Sequence, residues 1–449
     1  MVKQLCTALA LMLLSGCTVG PDYQRPTVDT PKDWRVQVRE ATHLADTDWW
    51  RQFNDPVLSE LIATALRENK DLLIATARIE EYAGRYGIAR ADLFPQISGT
   101  GQYSREQVTE TGDNRYTAAY KTDTDTYATT LNAGWEIDLW GKIRRSTEAA
   151  RAQLIASEEG RRGVILSLVS NVAGAYINLR ALDRQLEISR STAKTRGDAY
   201  KLFQERFAGG LISDLELSQN RSQYEEALAS IPPLEQAIGQ QENGLSVLLG
   251  RNPGAIARGK RIEQMGLPTV VAGMPSELLV RRPDIREAEQ NLIAANAQIG
   301  VAKAAYFPSI SLTGAFGYAS GDLSNLFQGP SKVWSYSAPI SVPIFTAGKI
   351  RGSVKQAEAI QQQAVLGYQQ AIQNGFREVN DAMVAQQQTG NQLEAQFRQV
   401  ESLRQYAEIA RMRYDNGYTD YLTVLDADRS LFNAELSLTK TQGALHQAR

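Results

Sequence analysis

The chain has 449 residues, of which 43% are hydrophobic, so it is long enough for two or three ordinary domains or one elongated fold. Its 48 basic and 50 acidic side chains give a net charge of -2, which excludes the strongly basic surface of a nucleic-acid-binding protein. Two cysteines, Cys6 and Cys17, and two histidines, His43 and His446, are too few for a structural zinc site or a disulfide framework. We therefore expect no metal and no cofactor.

The N-terminal residues are typical of a secreted lipoprotein. Lys3 is followed by an apolar run at 5–14 and then by small residues, which predicts a signal peptide over residues 1–16. The run ends in LSGC, which resembles a bacterial lipobox, so Cys17 is predicted to carry a membrane anchor of acyl chains. An ordinary signal beside an unmodified thiol is the alternative. Thr18, where Asp would favour the inner membrane, indicates the outer membrane by similarity to bacterial lipoproteins. No later stretch has the roughly 18 consecutive apolar residues of a spanning helix.

Two copies of one unit make up most of the chain. Residues 88–101 (IARADLFPQISGTG) align with residues 301–314 (VAKAAYFPSISLTG) at eight of fourteen identical positions. Further on, GKIRRS at 141–146 matches GKIRGS at 348–353. The predicted organisation is a lipidated N-terminal segment at 17–55, a first repeat at 56–254, a linker at 255–274 and a second repeat at 275–449. One fold with internal pseudo-twofold symmetry is expected.

Each repeat contains a segment in which apolar or small residues alternate with polar ones. The alternation predicts one β-hairpin at about 96–137 and another at about 308–345. Aromatic residues such as Trp135, Trp334 and Tyr336 lie on one face and Ser, Thr and Asn on the other, as in the strands of a membrane β-barrel. Four strands cannot close a barrel, which needs about eight, so several chains must share one. Three copies would give twelve strands.

Long proline-free segments follow the two hairpins. Residues 142–207 read as one continuous helix, which at 1.5 Å per residue would be about 100 Å long. The pairs GG at 209–210 and NG at 416–417 predict turns, after which the helical pattern resumes. Each repeat therefore contains a long helical hairpin, and the fold class is mainly α with a transmembrane β-barrel portion. With threefold symmetry, these hairpins would form a hollow α-barrel.

Five short segments carry a further pattern. They are VGPDYQRP at 19–26, WWRQF at 49–53, FP at 94–95, LVRRPDIRE at 279–287 and RYDNGYTDYLTVLDADRSL at 413–431. Together they resemble the TolC-type outer-membrane efflux factors, specifically their lipoprotein branch. The resemblance implies a trimeric channel in the outer membrane of a Gram-negative bacterium, with most of each chain in the periplasm. It also implies a periplasmic adaptor (membrane fusion protein) and an inner-membrane pump, usually of the resistance-nodulation-division class, as partners in multidrug efflux.

The same resemblance implies a gate. Leu422, Asp426 and Arg429 match the positions where the tunnel of the family narrows at its periplasmic end and closes at rest. Three Asp426 carboxylates brought together in a narrow tunnel would attract cations. From the residues alone, Asp426 and Arg429 could equally be a solvated i, i+3 pair contributing about 0.3 kcal/mol. The equivalent positions of the first repeat carry no charge; they are Leu215, Gln219 and Ser222.

The two turns are implied to be the tips at which the adaptor docks. The residues concerned are Gly209, Gly210 and Leu211 in the first repeat, and Asp415, Asn416, Gly417 and Tyr418 in the second. Without the resemblance, they would be interpreted as plain connecting turns.

Motifs typical of enzymes do not occur. The sequence contains no GxSxG, HExxH, GxxxxGK[ST] or CxxC pattern, so we expect no catalytic residues and no nucleotide-driven transport. The predicted function is a passive conduit that exports small molecules across the periplasm and outer membrane, driven by a partner. Two alternatives remain: the outer-membrane conduit of a type I protein secretion system, and a structural coiled-coil surface lipoprotein.

Overall fold

The computed structural model of the chain describes residues 18–28, 30–31, 48–107, 109, 123–268 and 275–448. The predicted signal peptide and Cys17 lie outside these residues. The α-helices of the described part are α1 (Pro56–Glu68), α2 (Lys70–Ala91), α3 (Lys142–Ala208), α4 (Asp214–Ala229), α5 (Ile231–Leu248), α6 (Leu278–Arg281), α7 (Pro283–Ala304), α8 (Lys349–Asp415) and α9 (Tyr421–Gln447). The β-strands are β1 (Gln96–Gln107), β2 (Asp123–Ile137), β3 (Ser309–Ser320), β4 (Lys332–Ser337) and β5 (Ile340–Ser341). The mainly helical fold class is confirmed.

The chain divides into two compact units, and each unit draws on both predicted repeats. Among the described residues, unit 1 takes those in 18–28, 77–159 and 284–371, and unit 2 takes those in 30–76, 160–283 and 372–448. The repeat boundaries inferred above therefore concern a duplication in the sequence, whereas compactness follows the pairing of equivalent segments from the two copies.

Unit 1 contains one antiparallel sheet in the order β1-β2-β3-β4, with β5 paired to β3. The register places Leu131 opposite Gly99 and Phe316, and Phe316 opposite Trp334. Because side chains alternate between the two faces of a strand, these residues share one face. Trp334 and Tyr336 on this face are exposed in the single chain. The aromatic face is thus free to contact lipid, as the alternation predicts.

The second hairpin is interrupted near its end. The alternation predicts a strand that continues to about residue 345, but β4 stops at Ser337 and only Ile340 and Ser341 resume the pairing. Proline lacks an amide hydrogen, so Pro339 and Pro343 cannot donate to the neighbouring strand. The carbonyl of Pro339 still accepts a hydrogen bond from the Ser311 amide at 3.2 Å.

The two longest helices, α3 and α8, contain 67 residues each. Each begins directly after a glycine in the left-handed conformation, Gly141 with φ 76° and Gly348 with φ 86°. A residue with a side chain adopts that conformation at a cost, so glycine suits the sharp change of direction before each helix. The prediction of an uninterrupted helix from 142 to 207 is confirmed.

The core of unit 2 is built around the apolar part of α3. This helix contains an 18-residue window with a mean hydropathy of 1.3, half of it buried, so by length and composition it could cross a membrane. Its side chains Val172, Tyr176 and Leu179 are fully buried in a cluster with Phe53 and Leu245. Packing within unit 2 therefore accounts for the buried half of the apolar window.

Candidate functional site

The turn after α3 is closed by two backbone hydrogen bonds. The Gly210 amide donates to the Phe207 carbonyl at 2.9 Å, and the Leu211 amide donates to the Arg206 carbonyl at 2.9 Å. Gly210 has φ 72°, the left-handed conformation that commonly ends a helix at glycine. Ser213 caps the start of helix α4, because its hydroxyl accepts a hydrogen bond from the backbone amide of Glu216, the third helical residue.

The turn after α8 repeats this geometry. The Gly417 amide donates to the Tyr414 carbonyl at 2.9 Å, and the Tyr418 amide donates to the Arg413 carbonyl at 2.8 Å. Gly417 has φ 74°. Helix α9 is then capped by Asp420, whose carboxylate accepts from a backbone amide of the first turn. Two turns of one design thus present their outermost side chains to solvent.

The three residues matched to the gate lie on one face of α9, within unit 2. The Arg429 guanidinium donates to Oδ1 of Asp426 at 3.0 Å, and both side chains are 52% exposed. Leu422 lies one turn earlier and is also exposed. The i, i+3 ion pair expected from the residues alone is therefore present, and it faces outward from the chain.

A cavity of about 280 Å³ lies beside this ion pair. Its lining consists of Gln219, Ser222, Gln223, Leu422, Leu425, Asp426 and Arg429. Gln219 and Ser222 are the positions of the first repeat that correspond to Asp426 and Arg429. From the sequence they are only uncharged counterparts of the second repeat's charges, whereas the structure brings both sets to one cavity. The offset of 207 residues between the repeats was the sequence signal that related these positions to Asp426 and Arg429.

A buried tyrosine links the two helices that line this cavity. The Tyr421 hydroxyl on α9 donates to Oδ1 of Asn220 on α4 at 2.8 Å. Its ring lies 4.5 Å from the ring of Phe203 and 4.9 Å from that of Tyr414, centre to centre. Burial raises the pKa of Tyr421 to about 12. Sequence reasoning did not single out Asn220 or Tyr421, because their pairing depends on how helices of different repeats pack.

The inner face of α9 carries a second carboxylate. Burial raises the pKa of Asp428, against the opposing effect of the cationic Arg411 and Arg196. Arg196 is itself buried, pairs with Glu226 at 3.2 Å and lies over the ring of Phe432. Charged groups therefore lie on the inner face of α9 as well as in the exposed ion pair at the cavity.

The described residues offer few side chains that could bind a metal ion together. In the part of the chain that the structure describes, no group of three or more His, Cys, Asp or Glu side chains is placed to hold a metal ion. Of the residues considered above for metal binding, only His446 is described, and it is buried. Its Nδ1 lies 2.8 Å from the Gln442 carbonyl oxygen, and its ring stacks on Phe53.

The segment at 279–287 contributes ion pairs to both units. Within unit 2, Arg282 donates to Glu378 at 2.6 Å. Within unit 1, Arg286 pairs at 2.8 Å with Glu159, whose side chain is almost fully buried. These arginines therefore fasten α7 and the residues before it to the long helices.

Comparison with known proteins decides the family. The sequence profile of a family described as "Outer membrane efflux protein" matches residues 61–251 and 274–449. The chain belongs to this family. The two matched segments together cover most of its length, so the assignment does not depend on any single motif.

Relatives of this efflux protein come from several bacteria. It is 37% identical over 442 residues to the cation efflux system protein CusC of Escherichia coli, covering 96% of this chain and 93% of the relative. It is 37% identical over 450 residues to the toluene efflux pump outer membrane protein TtgC of Pseudomonas putida, covering 98% and 92%. The open state of the MtrE outer membrane channel of Neisseria gonorrhoeae is similar in structure, with a TM-score of 0.85 at 30% identity, covering 96% and 98%.

The efflux protein is accordingly an outer-membrane channel component of a Gram-negative efflux system. It acts as a homotrimer together with a periplasmic adaptor and an inner-membrane pump. The family consists of channels and is not a class of enzymes. The expectations drawn from the resemblance on family, fold class, location and partners are confirmed.

Proposed function

We propose that this efflux protein is a passive conduit for small molecules whose periplasmic gate is formed by Leu422, Asp426 and Arg429. The supporting observation is the ion pair of Asp426 and Arg429, which faces outward beside the cavity at α4 and α9. Because both side chains are half-exposed in one chain, they are accessible to the same residues of two further copies. Closure then consists of three such pairs meeting around one axis.

The solvent exposure of these ion pairs sets how strongly they hold the gate closed. A half-exposed ion pair contributes about 0.5 kcal/mol after screening by solvent. Three contacts of this strength between neighbouring copies, made only in the closed state, would contribute about 1.5 kcal/mol, which changes the equilibrium between open and closed states about tenfold. A gate of this strength rests closed but opens when a docked adaptor supplies a modest binding energy. High salt weakens it further, since it screens exposed charges.

Planar-bilayer recordings of the Asp426→Ala variant test the gate. We expect its resting conductance to rise about tenfold at low salt, because all three pairs are lost together. The rise should shrink when wild type and variant are compared at high salt.

Asn433→Ala is the matched control, because Asn433 is exposed on the same helix two turns further along. It should leave the resting conductance unchanged. An Asp426→Ala channel that conducts no more than wild type at rest would remove the gate assignment.

Substrate choice is proposed to lie with the pump. The name of one relative specifies cations and that of another toluene, although both are 37% identical to this chain. A conduit tolerant of both chemistries, paired with a pump of the resistance-nodulation-division class, fits this pattern. Pairing the chain with pumps of different substrates in an export assay tests it: exported compounds should follow the pump.

Two further residue sets belong to the proposed function. We infer that Cys17 is acylated, which the mass of the N-terminal peptide of the mature protein would test. We also infer that the adaptor docks at the tips, Gly209 to Leu211 and Asp415 to Tyr418. Leu211 and Tyr418 support this inference, because they are 77% and 75% exposed at the outermost point of each turn.

A further inference from the structure

Residues 18–26 (TVGPDYQRP), called the strap below, lie along unit 1 against α7 and the start of α3. The Val19 amide donates to the Trp140 carbonyl at 3.0 Å. The Asn296 side-chain amide donates to the Pro21 carbonyl at 2.9 Å. These two hydrogen bonds fix the strap backbone on either side of Gly20.

The strap neutralises a buried carboxylate. Arg25 donates through Nε and Nη2 to the two carboxylate oxygens of Glu289, both at 2.5 Å. The Tyr23 hydroxyl donates to Oε1 of the same carboxylate at 3.0 Å, and burial together with this carboxylate raises the pKa of Tyr23. Glu289 is only 6% exposed, and its hydrogen-bond partners among the described side chains both come from the strap. A two-pronged contact of this kind is the strongest common form of ion pair.

A second strap charge meets a buried cation. Oδ1 of Asp22 lies 2.5 Å from Nη2 of Arg145, which is 5% exposed. Arg145 also pairs with Glu148, one turn along α3, at 2.8 Å. Asp22 is itself exposed, so its carboxylate comes from the solvent side to reach a charge inside unit 1.

Glycines let the strap lie directly on α7. A Cβ added to Gly20 would lie 2.5 Å from the Cα of Gly300, and a Cβ added to Gly300 would lie 2.7 Å from the carbonyl oxygen of Val19. Gly20 also has φ 107°, which residues with side chains rarely adopt. The strap therefore both lies in close backbone contact with α7 and carries the side chains that pair with the buried charges of unit 1.

We propose that this groove, formed by Trp140, Arg145, Glu289, Asn296 and Gly300, is a binding site for the strap that holds the membrane anchor at a fixed point of unit 1. Removing the strap would leave the buried Glu289 carboxylate without its side-chain partners and the buried Arg145 with Glu148 alone, which is strongly unfavourable. Thr18 packs on Gly141, directly before α3, since a Cβ there would lie 2.5 Å from Cγ2 of Thr18. Thr18, the first described residue of the strap, is thus held at Gly141, just after β2.

The anchor-holding role rests on the proposed acylation of Cys17, whereas the docking of the strap does not. The two are separated by exporting a Cys17→Ser chain with an ordinary cleavable signal. Its strap should remain docked, and loss of docking there would overturn the statement that the groove itself binds the strap.

Chymotrypsin cleavage after Tyr23 measures docking in the full-length, detergent-solubilised protein. The fragment that ends at Tyr23 is quantified by mass spectrometry, with a synthetic peptide of residues 18–28 as the undocked reference. We expect wild type to be cleaved at least about a hundredfold more slowly than the peptide. Glu289→Gln should raise the cleavage rate at least about tenfold, because the bidentate charge pair is lost.

Glu81→Gln is the matched control. Glu81 pairs with Arg85 at 2.5 Å in the same unit, but this pair is exposed and distant in sequence from the strap. Its loss should not change cleavage at Tyr23. Arg25→Ala is the second test variant, since it alters the half-exposed partner, and it should accelerate cleavage as Glu289→Gln does. Wild type cleaved as fast as the peptide, or equal rates in wild type and both test variants, would overturn the proposal.

Discussion

Asp55 shows how single residues order unit 2. Its buried carboxylate accepts hydrogen bonds from the Val57 amide at 2.9 Å, the Tyr176 hydroxyl at 3.0 Å and the Lys260 amide at 3.0 Å. The Tyr176 oxygen in turn accepts from the Gly259 amide at 2.8 Å. One carboxylate thus caps α1, holds the central side chain of α3 and fixes the segment around residue 260. Buried polar groups this well satisfied specify one packing arrangement.

Tyr176 makes stability sensitive to high pH. Burial raises its pKa from about 10 to about 12, so the folded protein retains a proton that the unfolded chain has already lost. The unfolded state then binds fewer protons, and the free energy of unfolding falls as pH rises from 10 to 12, by up to about 3 kcal/mol. Denaturant titrations of the detergent-solubilised protein at pH 9 and pH 12 would measure this loss.

The Tyr176→Phe variant should be less stable at pH 9 but should lose less stability between pH 9 and pH 12. Tyr306→Phe is the control, because Tyr306 is half-exposed and should leave the pH dependence as in wild type. If Tyr176→Phe showed the full wild-type loss at high pH, the ionisation of Tyr176 would not be its cause.

At the scale of elements, the long helices were predictable because their signals are local. The absence of proline over 142–207 and the glycines at 209 and 210 predict a helix that the structure places at Lys142–Ala208. The interruption of the fourth strand was also readable from Pro339 and Pro343, but the alternating aromatics outweighed them. The missing amide hydrogen of proline interrupts the strand here, although the alternation of side chains continues.

The cavity beside the proposed gate residues could not be predicted from local signals. It requires Asn220 and Tyr421, which are 201 residues apart, to meet in a buried hydrogen bond. Nothing in either segment alone specifies that meeting, because Tyr421 occupies a position where the first repeat has Asp214. Likewise, the motif within the strap indicated a family but not its buried partner Glu289. Long-range packing decides such contacts.

The tips of the helical hairpins carry a prediction about the adaptor. Replacing Leu211 and Tyr418 together by Ser should weaken adaptor binding at least about tenfold, since exposed apolar side chains commonly supply most of the energy at such contacts. Surface plasmon resonance with immobilised adaptor measures the change.

Leu323→Ser is the control for the tips, because Leu323 is comparably exposed but follows β3 in unit 1. It should bind the adaptor as wild type does. Equal binding by the doubly substituted tip variant would show that the adaptor docks elsewhere.

At the scale of the whole molecule, the sheet dictates assembly. Within the described sheet, β1 and β4 are edge strands, each paired on one side only. An unpaired edge in lipid leaves backbone groups unsatisfied at several kcal/mol each, and closed barrels avoid this cost. We expect further copies of the chain to remove both edges by pairing β1 of one copy with β4 of the next. The proposed gate needs the same symmetry, because one ion pair cannot close a tunnel.

Native mass spectrometry of the protein extracted gently from the outer membrane is the most direct test. Three chains sharing one sheet predict a dominant species with three times the mass of the processed chain, persisting as detergent is stripped at low collision energy. A dominant single-chain species under the same conditions would contradict the shared barrel, and with it the gate formed by three copies.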